Sequence, residues 1–484
     1  MNPLGNTRPA AAVPRLYLAE ALTALTPRVD SEMASPPIRS GRSAKRGQQL
    51  DGVDWQVVVQ LRRQASEQIA ENSQHWANEH GRPMSADDRR MMGRSVIGAV
   101  VREHAGRLTQ TGEQLWELAI EQAYAAAVEN AIFGYGRLQP LFEIPTAENI
   151  EIHGWDCVVA QHGDGRREEL PPVADSDDEL IEAIRFLGSS ASPARAFDDA
   201  HPMMTLALGD RFRLHAIGFG LSYRPSIVIR QHLLTTISLG ELAGCGMMPA
   251  DLADLLEACV LARKSIVISG DQGAGKTTLL RALVAAIPST ERIGTLETDY
   301  ELLTHLLPTR RNMVALQAKT GLGEYHDGHS VGEYTVADLI PEALRQNLSR
   351  LIVGEVRGGE AGAMCEARQC AAGTMSTTHS HSAASTMDRL AARVAQGGVL
   401  GVSEAYRQIA LNLHLLIHVC LVDDTWRGGT RKRFISEVRE LTGAVENGRP
   451  VTHLAYRADE HGRALQMQPS AELLGELRAF RGHG

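Results

Sequence analysis

An α/β chain is predicted, in which a parallel sheet covered by helices on both faces is preceded by an α+β domain and a helical segment. Three patterns predict it. From Leu239 to about Val422 apolar strand-like runs alternate with helical stretches, as in a sheet whose strands are buried on both sides. Between Gly134 and Arg230 short runs alternate apolar and polar residues around glycine turns, the signature of half-buried strands. From Asp51 to Phe133 proline is almost absent and apolar residues recur at helical spacing, as in Val57, Leu61, Ala65 and Trp116, Ile120, Ala123, Ala127. A chain of 484 residues exceeds what one core supports. The expected divisions are a disordered tail 1–50, a helical N-terminal domain 51–133, an α+β domain 134–238, an α/β core 239–442 and a C-terminal extension 443–484.

Composition narrows the function. With 49 Lys+Arg against 58 Asp+Glu, the net charge of -9 excludes a molecule-wide basic field for nucleic acid or anionic lipid. Six cysteines without a CxxC are too sparse for a disulfide framework or a zinc site and read as reduced thiols of a cytoplasmic protein. The most apolar late run, Ala410 to Val422, is interrupted by Asn412, His414 and His418, so no membrane span is expected. No compact apolar stretch marks the N-terminus as a secretion signal.

Taken in order, residues 1–50 carry six of the 20 prolines and the cluster Arg39, Arg42, Lys45, Arg46, a solvated tail by composition. GYGRLQPLFE at 134–143 supplies turns before the runs NIEIHG and DCVVAQ. A helix is expected near Asp178 to Leu187, and strands at Arg213 to Ile217 and Ser226 to Arg230. A helix at Pro249 to Ala262 leads to the buried-strand run SIVIS at 265–269, a glycine loop and a helix Thr278 to Ala286. WRGGTRKRF at 426–434 reads as a hairpin with Gly428 and Gly429 at its tip, a solvated turn rather than a nucleic-acid patch.

The glycine loop carries the chemistry. Residues Gly270, Asp271, Gln272, Gly273, Ala274, Gly275, Lys276 and Thr277 fit GxxxxGK[ST] in full, after a strand and before a helix that begins near Thr278. Such a loop turns its N–H groups inward, and the helix N-terminus adds positive potential for phosphate. Lys276 is then expected on the β- and γ-phosphates and Thr277 on Mg²⁺. A nucleotide hydrolase also needs an acid at a neighbouring strand end. Leu351, Ile352 and Val353 form a buried run, and Glu355 follows Gly354 at the edge where the loop also lies. Glu297, Asp299 and Glu301 follow a short strand Arg292 to Leu296 and place further carboxylates there.

In this order the glycine loop, LETDYEL at 296–302, IVGEVRG within 352–358 and GTMSTTHSHS at 373–382 resemble the ATPase superfamily of type II secretion, type IV pili and type IV secretion. Within it the sequence is most similar to CpaF-type ATPases of Tad/Flp pilus assembly, over about residues 130 to 440. The resemblance implies a RecA-like P-loop ATPase core that binds ATP and Mg²⁺. It implies Glu355 as the residue that positions water and reaches Mg²⁺ through water, Glu297 and Glu301 as the acidic-box glutamates, and His379 as the γ-phosphate sensor. Arg213 and Arg230 match N-terminal-domain arginines that reach the nucleotide, and Arg345 an arginine of the core pattern. The family aspartate falls on Thr298, with Asp299 one place along, and Ser380-His381 stand where the family has Ala-Asn. The tetracysteine zinc insertion of the type II assembly branch is missing.

The expectation is therefore a cytoplasmic ring ATPase, a hexamer as in the family. It would act with an inner-membrane platform protein, peripheral to the inner face of the cytoplasmic membrane, without nucleic acid. Competing readings are a type IV secretion or conjugation ATPase with the same site, a DNA-translocating P-loop motor, and a nucleotide-bound scaffold that does not turn over.

Overall fold

Local sequence first builds three helices, Trp55–His80 (α1), Ala86–Gln110 (α2) and Leu118–Phe133 (α3), which pack on one another. Val58, Leu61, Ala65 and Ile69 fall on one face of α1 and are fully buried, each large side chain contributing about 1.5–3 kcal/mol by leaving water. Asp54 caps α1 by accepting from the Gln56 N–H at 2.8 Å. The Tyr124 hydroxyl accepts from the Asp54 N–H at 2.9 Å and ties α3 to that end. The computed structural model describes residues 53–110, 116–191, 194–319, 325–326, 329–356, 358, 360–362, 364, 372–396 and 400–480, and the tail expected at 1–50 lies outside them.

Next comes a six-stranded antiparallel sheet. Its strands are Ala147–His153 (β1), Val158–His162 (β2), Arg167–Leu170 (β3), Met203–Leu208 (β4), Phe212–Ile217 (β5) and Ser226–Gln231 (β6), in the order β3-β2-β1-β6-β5-β4. Helix Asp177–Ser190 (α4) is capped by Ser176 and contributes Leu180, Ile184 and Leu187 to the same core. One register has a consequence for function: Arg213 on β5 lies directly opposite Arg230 on β6. Like charges so placed destabilise a sheet unless anions serve them.

The core is a nine-stranded sheet. Its strands are Ile266–Gly270 (β7), Ile293–Glu297 (β8), Met313–Gln317 (β9), Arg350–Val353 (β10), Met375–His379 (β11), Leu415–Asp423 (β12), Arg431–Glu446 (β13), Arg449–Ala458 (β14) and Ala464–Met467 (β15). Their order is β15-β14-β13-β12-β7-β11-β10-β8-β9. From β12 to β9 every pair is parallel, so these strands end at one edge, where open α/β sheets place their sites. Ile266, Val267 and Ile268 are fully buried, as a strand covered on both faces requires.

The sheet does not stop where the sequence reading ended the core. Strand β13 runs through the expected 442/443 boundary, and the next three strand pairings are antiparallel. The cause is local: Asn447 and Gly448, both at positive φ (48° and 75°), make the Asn-Gly hairpin turn that suits a right-handed twist. Residues of the extension, Ala455, Tyr456, Leu473 and Leu477, are buried in the same core cluster as the loop-bearing strand. Among the described residues no helix is long and apolar enough to cross a membrane.

Candidate active site

The register of the parallel strands assembles the site. Gly270 at the end of β7 pairs with His379 on one side and Val419 on the other. Gly270 has to be glycine: a Cβ there would lie 2.3 Å from the Val419 carbonyl oxygen. The loop then wraps into a helix (α5, Lys276–Ala285) through Gly275 at φ 95°. Lys276 is buried, and its Nζ donates to the carbonyls of Gly270 at 3.0 Å and Asp271 at 2.8 Å and to His379 Nδ1 at 3.2 Å. Burial brings its pKa down to about 8.

Glu355 follows β10, and its Oε1 lies 3.0 Å from His379 Nε2. One imidazole therefore spans the loop lysine and the glutamate. Glu297, at the end of β8, is almost fully buried and accepts at Oε1 from the N–H groups of Glu301 at 3.0 Å and Leu302 at 2.8 Å. Despite those bonds, burial pushes its carboxyl up to about 7. Its Oε2 is buried without a hydrogen-bond partner among the described residues, an arrangement whose cost suggests a ligand.

The second domain closes the other side. Arg213 pairs with Asp299 and with Glu301, so Asp299 meets the N-terminal sheet. Arg230 beside it lines the same cavity, of about 1020 Å³, that Gln272, Gly273, Gly275, Lys276, Thr277 and Thr278 line from the core. Glu355 and His379 stand on its wall as well. Arg345 does not join them: it is exposed and pairs with Glu342 on its own helix. His381, one of the two residues that depart from the family box, bonds through Nδ1 to Asp271 at 2.8 Å.

Five residues escaped the sequence reading: Arg281, His232, Arg431, Arg433 and their partner Glu148. Arg281, on α5, is buried and donates to the carbonyls of Leu302 at 3.1 Å and Leu234 at 2.9 Å and to that of Glu301. It thus ties the acidic segment and the interdomain link to the loop helix. His232 beside it is brought down to about 4 by burial and then by the Arg281 charge, so it is neutral at pH 7. Arg431 and Arg433 come from the turn expected to be solvated. That expectation holds for Trp426, which is exposed, but the two arginines turn inward onto Glu148 and line the cavity. The signal was available, since both share a strand face with Ile435, which is fully buried.

A metal would fit here. Thr277, Glu297 and Glu355 line one small cavity of about 30 Å³, the space of about one water, and the unpartnered Glu297 Oε2 belongs to a residue of its wall. Among the described residues no group of three or more His, Cys, Asp or Glu could by itself hold a metal ion. Mg²⁺ keeps its waters and binds through one or two protein groups together with phosphate oxygens, so Thr277 with one carboxylate would suffice.

The family described as "Type II/IV secretion system protein" matches residues 164–445, more than half of the chain, from β3 of the N-terminal sheet through nearly the whole of β13 of the core. The chain belongs to that family. A putative conjugal transfer protein of Mycobacterium tuberculosis (strain H37Rv) is 31% identical over 336 residues, 66% of this chain and 88% of that protein. Protein VirB11 of Agrobacterium fabrum is 34% identical over 130 residues, 27% of this chain and 35% of the relative. Among solved structures, the VirB11 ATPase of the Brucella suis type IV secretion system, in complex with sulphate, is 23% identical. It covers 63% of this chain and 96% of its own, with a TM-score of 0.33. The pilus retraction motor PilT with bound ADP is 16% identical and covers 71% and 86%, with a TM-score of 0.44.

Proposed function

We propose that the chain is a Mg²⁺-dependent ATP-hydrolysing motor, a homo-hexamer that drives assembly of Tad/Flp-type pili on an inner-membrane platform protein at the cytoplasmic face. One observation carries the catalytic part. Lys276, Thr277, Glu355 and His379 from the core and Arg213 and Arg230 from the N-terminal sheet line a single cavity. Paired guanidiniums opposite a phosphate loop suit a triphosphate, because phosphoryl transfer needs charge positioned around equatorial oxygens rather than covalent help.

In this reading Lys276 exchanges the carbonyls of Gly270 and Asp271 for β- and γ-phosphate oxygens. The Thr277 hydroxyl and a water held by Glu355 would hold Mg²⁺, which when bound neutralises charge between the phosphates. Glu355 orients the attacking water. His379, hydrogen-bonded to Lys276 and within ion-pair distance of Glu355, relates the position of the lysine to that of the glutamate. Arg213 and Arg230 reach the phosphates from the other domain, so cleavage releases a contact between domains and turnover becomes a rigid-body movement.

The Tad/Flp assignment rests on the sequence resemblance. A second reading, a conjugation or type IV secretion motor, is favoured by the likeness to the Mycobacterium putative conjugal transfer protein and would use the same site. Steady-state ATP hydrolysis tests the shared claim. Wild type should turn over, Lys276→Ala should not, and equal background rates in both would leave a non-hydrolysing scaffold as the account. The gene neighbourhood separates the two pathways: genes for small pilin-like proteins support the first reading and conjugation genes the second.

A further inference from the structure

Residue 148 of the N-terminal sheet, residue 273 of the phosphate loop and residue 433 of the β12–β13 hairpin are far apart in sequence and meet at one guanidinium. Arg433 donates through Nε to the Gly273 carbonyl at 2.7 Å and through one terminal nitrogen to both Glu148 oxygens at 2.9 and 2.7 Å. The other terminal nitrogen is 3.4 Å from the Gly163 carbonyl. Arg431 donates to the same Glu148 at 3.2 Å and approaches Asp423 at 3.4 Å. The side chains of Arg431 and Glu148 are only 7% and 18% exposed. The Gly163–Gly165 turn packs so closely on the hairpin that a Cβ at Gly165 would lie 2.7 Å from Thr425 and 2.9 Å from Arg431.

Resting on the nucleotide-site reading above, we infer that Arg433 is a positioning residue of the phosphate loop and that Glu148 is its anchor in the N-terminal sheet, a strut that sets loop geometry according to the position of that sheet. The peptide is planar, so a carbonyl held outward at Gly273 directs the Ala274 N–H the opposite way. That N–H lies 3.3 Å from the Asp271 carbonyl, across the loop. The guanidinium suits this because its rigid fork can hold a carboxylate and a carbonyl together, which a lysine ammonium does with poorer geometry. A tie that crosses domains differs in kind from the arginines facing the phosphates: it acts on the protein backbone, before any ligand contact.

The test is a double-mutant cycle on the full chain with Glu148→Gln, Arg433→Gln and the double variant, read by fluorescent-ADP binding and by kcat and KM for ATP. Arg433→Lys is included in case Arg433→Gln does not fold. Arg433→Gln should weaken ADP binding about tenfold, in the range of one charge-assisted hydrogen bond. Arg433→Lys should fall between it and wild type, and Glu148→Gln should lower kcat about fivefold with ADP affinity within twofold. The double variant should be no slower than Arg433→Gln, because the strut is already cut. Effects on kcat that multiply, or unchanged ADP affinity in both Arg433 variants, would overturn the inference. Failure of wild type itself to bind ADP, with Lys276→Ala indistinguishable from it, would instead overturn the nucleotide site beneath it.

Discussion

Glu297→Gln should make the protein more stable where the wild-type carboxylate is charged. The carboxyl is buried, and its pKa is pushed up to about 7 from an ordinary 4.5, burial outweighing the two N–H groups it accepts. A folded pKa above the unfolded one means that the folded state holds the proton more tightly. The wild type therefore gains stability below the unfolded value and loses it as pH rises through 7. At about 1.36 kcal/mol per pKa unit the full effect is about 3 kcal/mol, of which roughly 2–3 kcal/mol falls between pH 5 and 8. Glutamine keeps the acceptor for both N–H groups and cannot ionise, so the stability of Glu297→Gln relative to wild type should rise by that amount from pH 5 to pH 8. Urea unfolding of the core at pH 5, 6, 7 and 8, in EDTA and without nucleotide, reads it directly. Parallel stability curves for the two proteins would refute the reasoning. The same variant should hydrolyse ATP more slowly at pH 8, since a residue retained against its own burial cost is retained for function.

Glu355→Gln should lower kcat about 10²–10⁴-fold, the range for a positioned acid–base group, with ADP affinity within about threefold by titration. Gly270→Ala drives a methyl into the Val419 carbonyl and should cost about 3 kcal/mol or more; a thermal midpoint within 2 °C of wild type would contradict it. Arg213→Gln removes the partner of Asp299 and Glu301 and should raise KM for ATP about tenfold. Arg345→Gln, at an exposed pair on its own helix, should leave ADP affinity unchanged.

Much of this site could be read from the chain because its parts are local. Gly270 to Thr277 lie in one loop, and Glu355 follows an apolar run whose buried parallel pairing put it at the same edge. Arg213 and Arg230 were singled out by resemblance, but that they face each other across a strand pair is a matter of register, which no single strand encodes. Glu148 and Arg281 stayed hidden because their partners are 20 to 285 residues away in sequence and only tertiary packing joins them; the inward face of Arg433 was legible beside Ile435, its pairing with Glu148 was not. Arg345 was given a role by a pattern match, and within the single chain it is exposed and pairs with Glu342 instead of entering the cavity. The antiparallel extension of the core sheet was legible at Asn447-Gly448, a hairpin signal that the sequence reading passed over.

Equilibrium titration of the purified full chain with Mg·ATP, wild type beside Lys276→Ala, bears most directly on the idea that the loop and the facing arginines hold a triphosphate. Saturable uptake by wild type, weakened at least a hundredfold in the variant, is the predicted result. No uptake by wild type, or equal uptake by both, would contradict it.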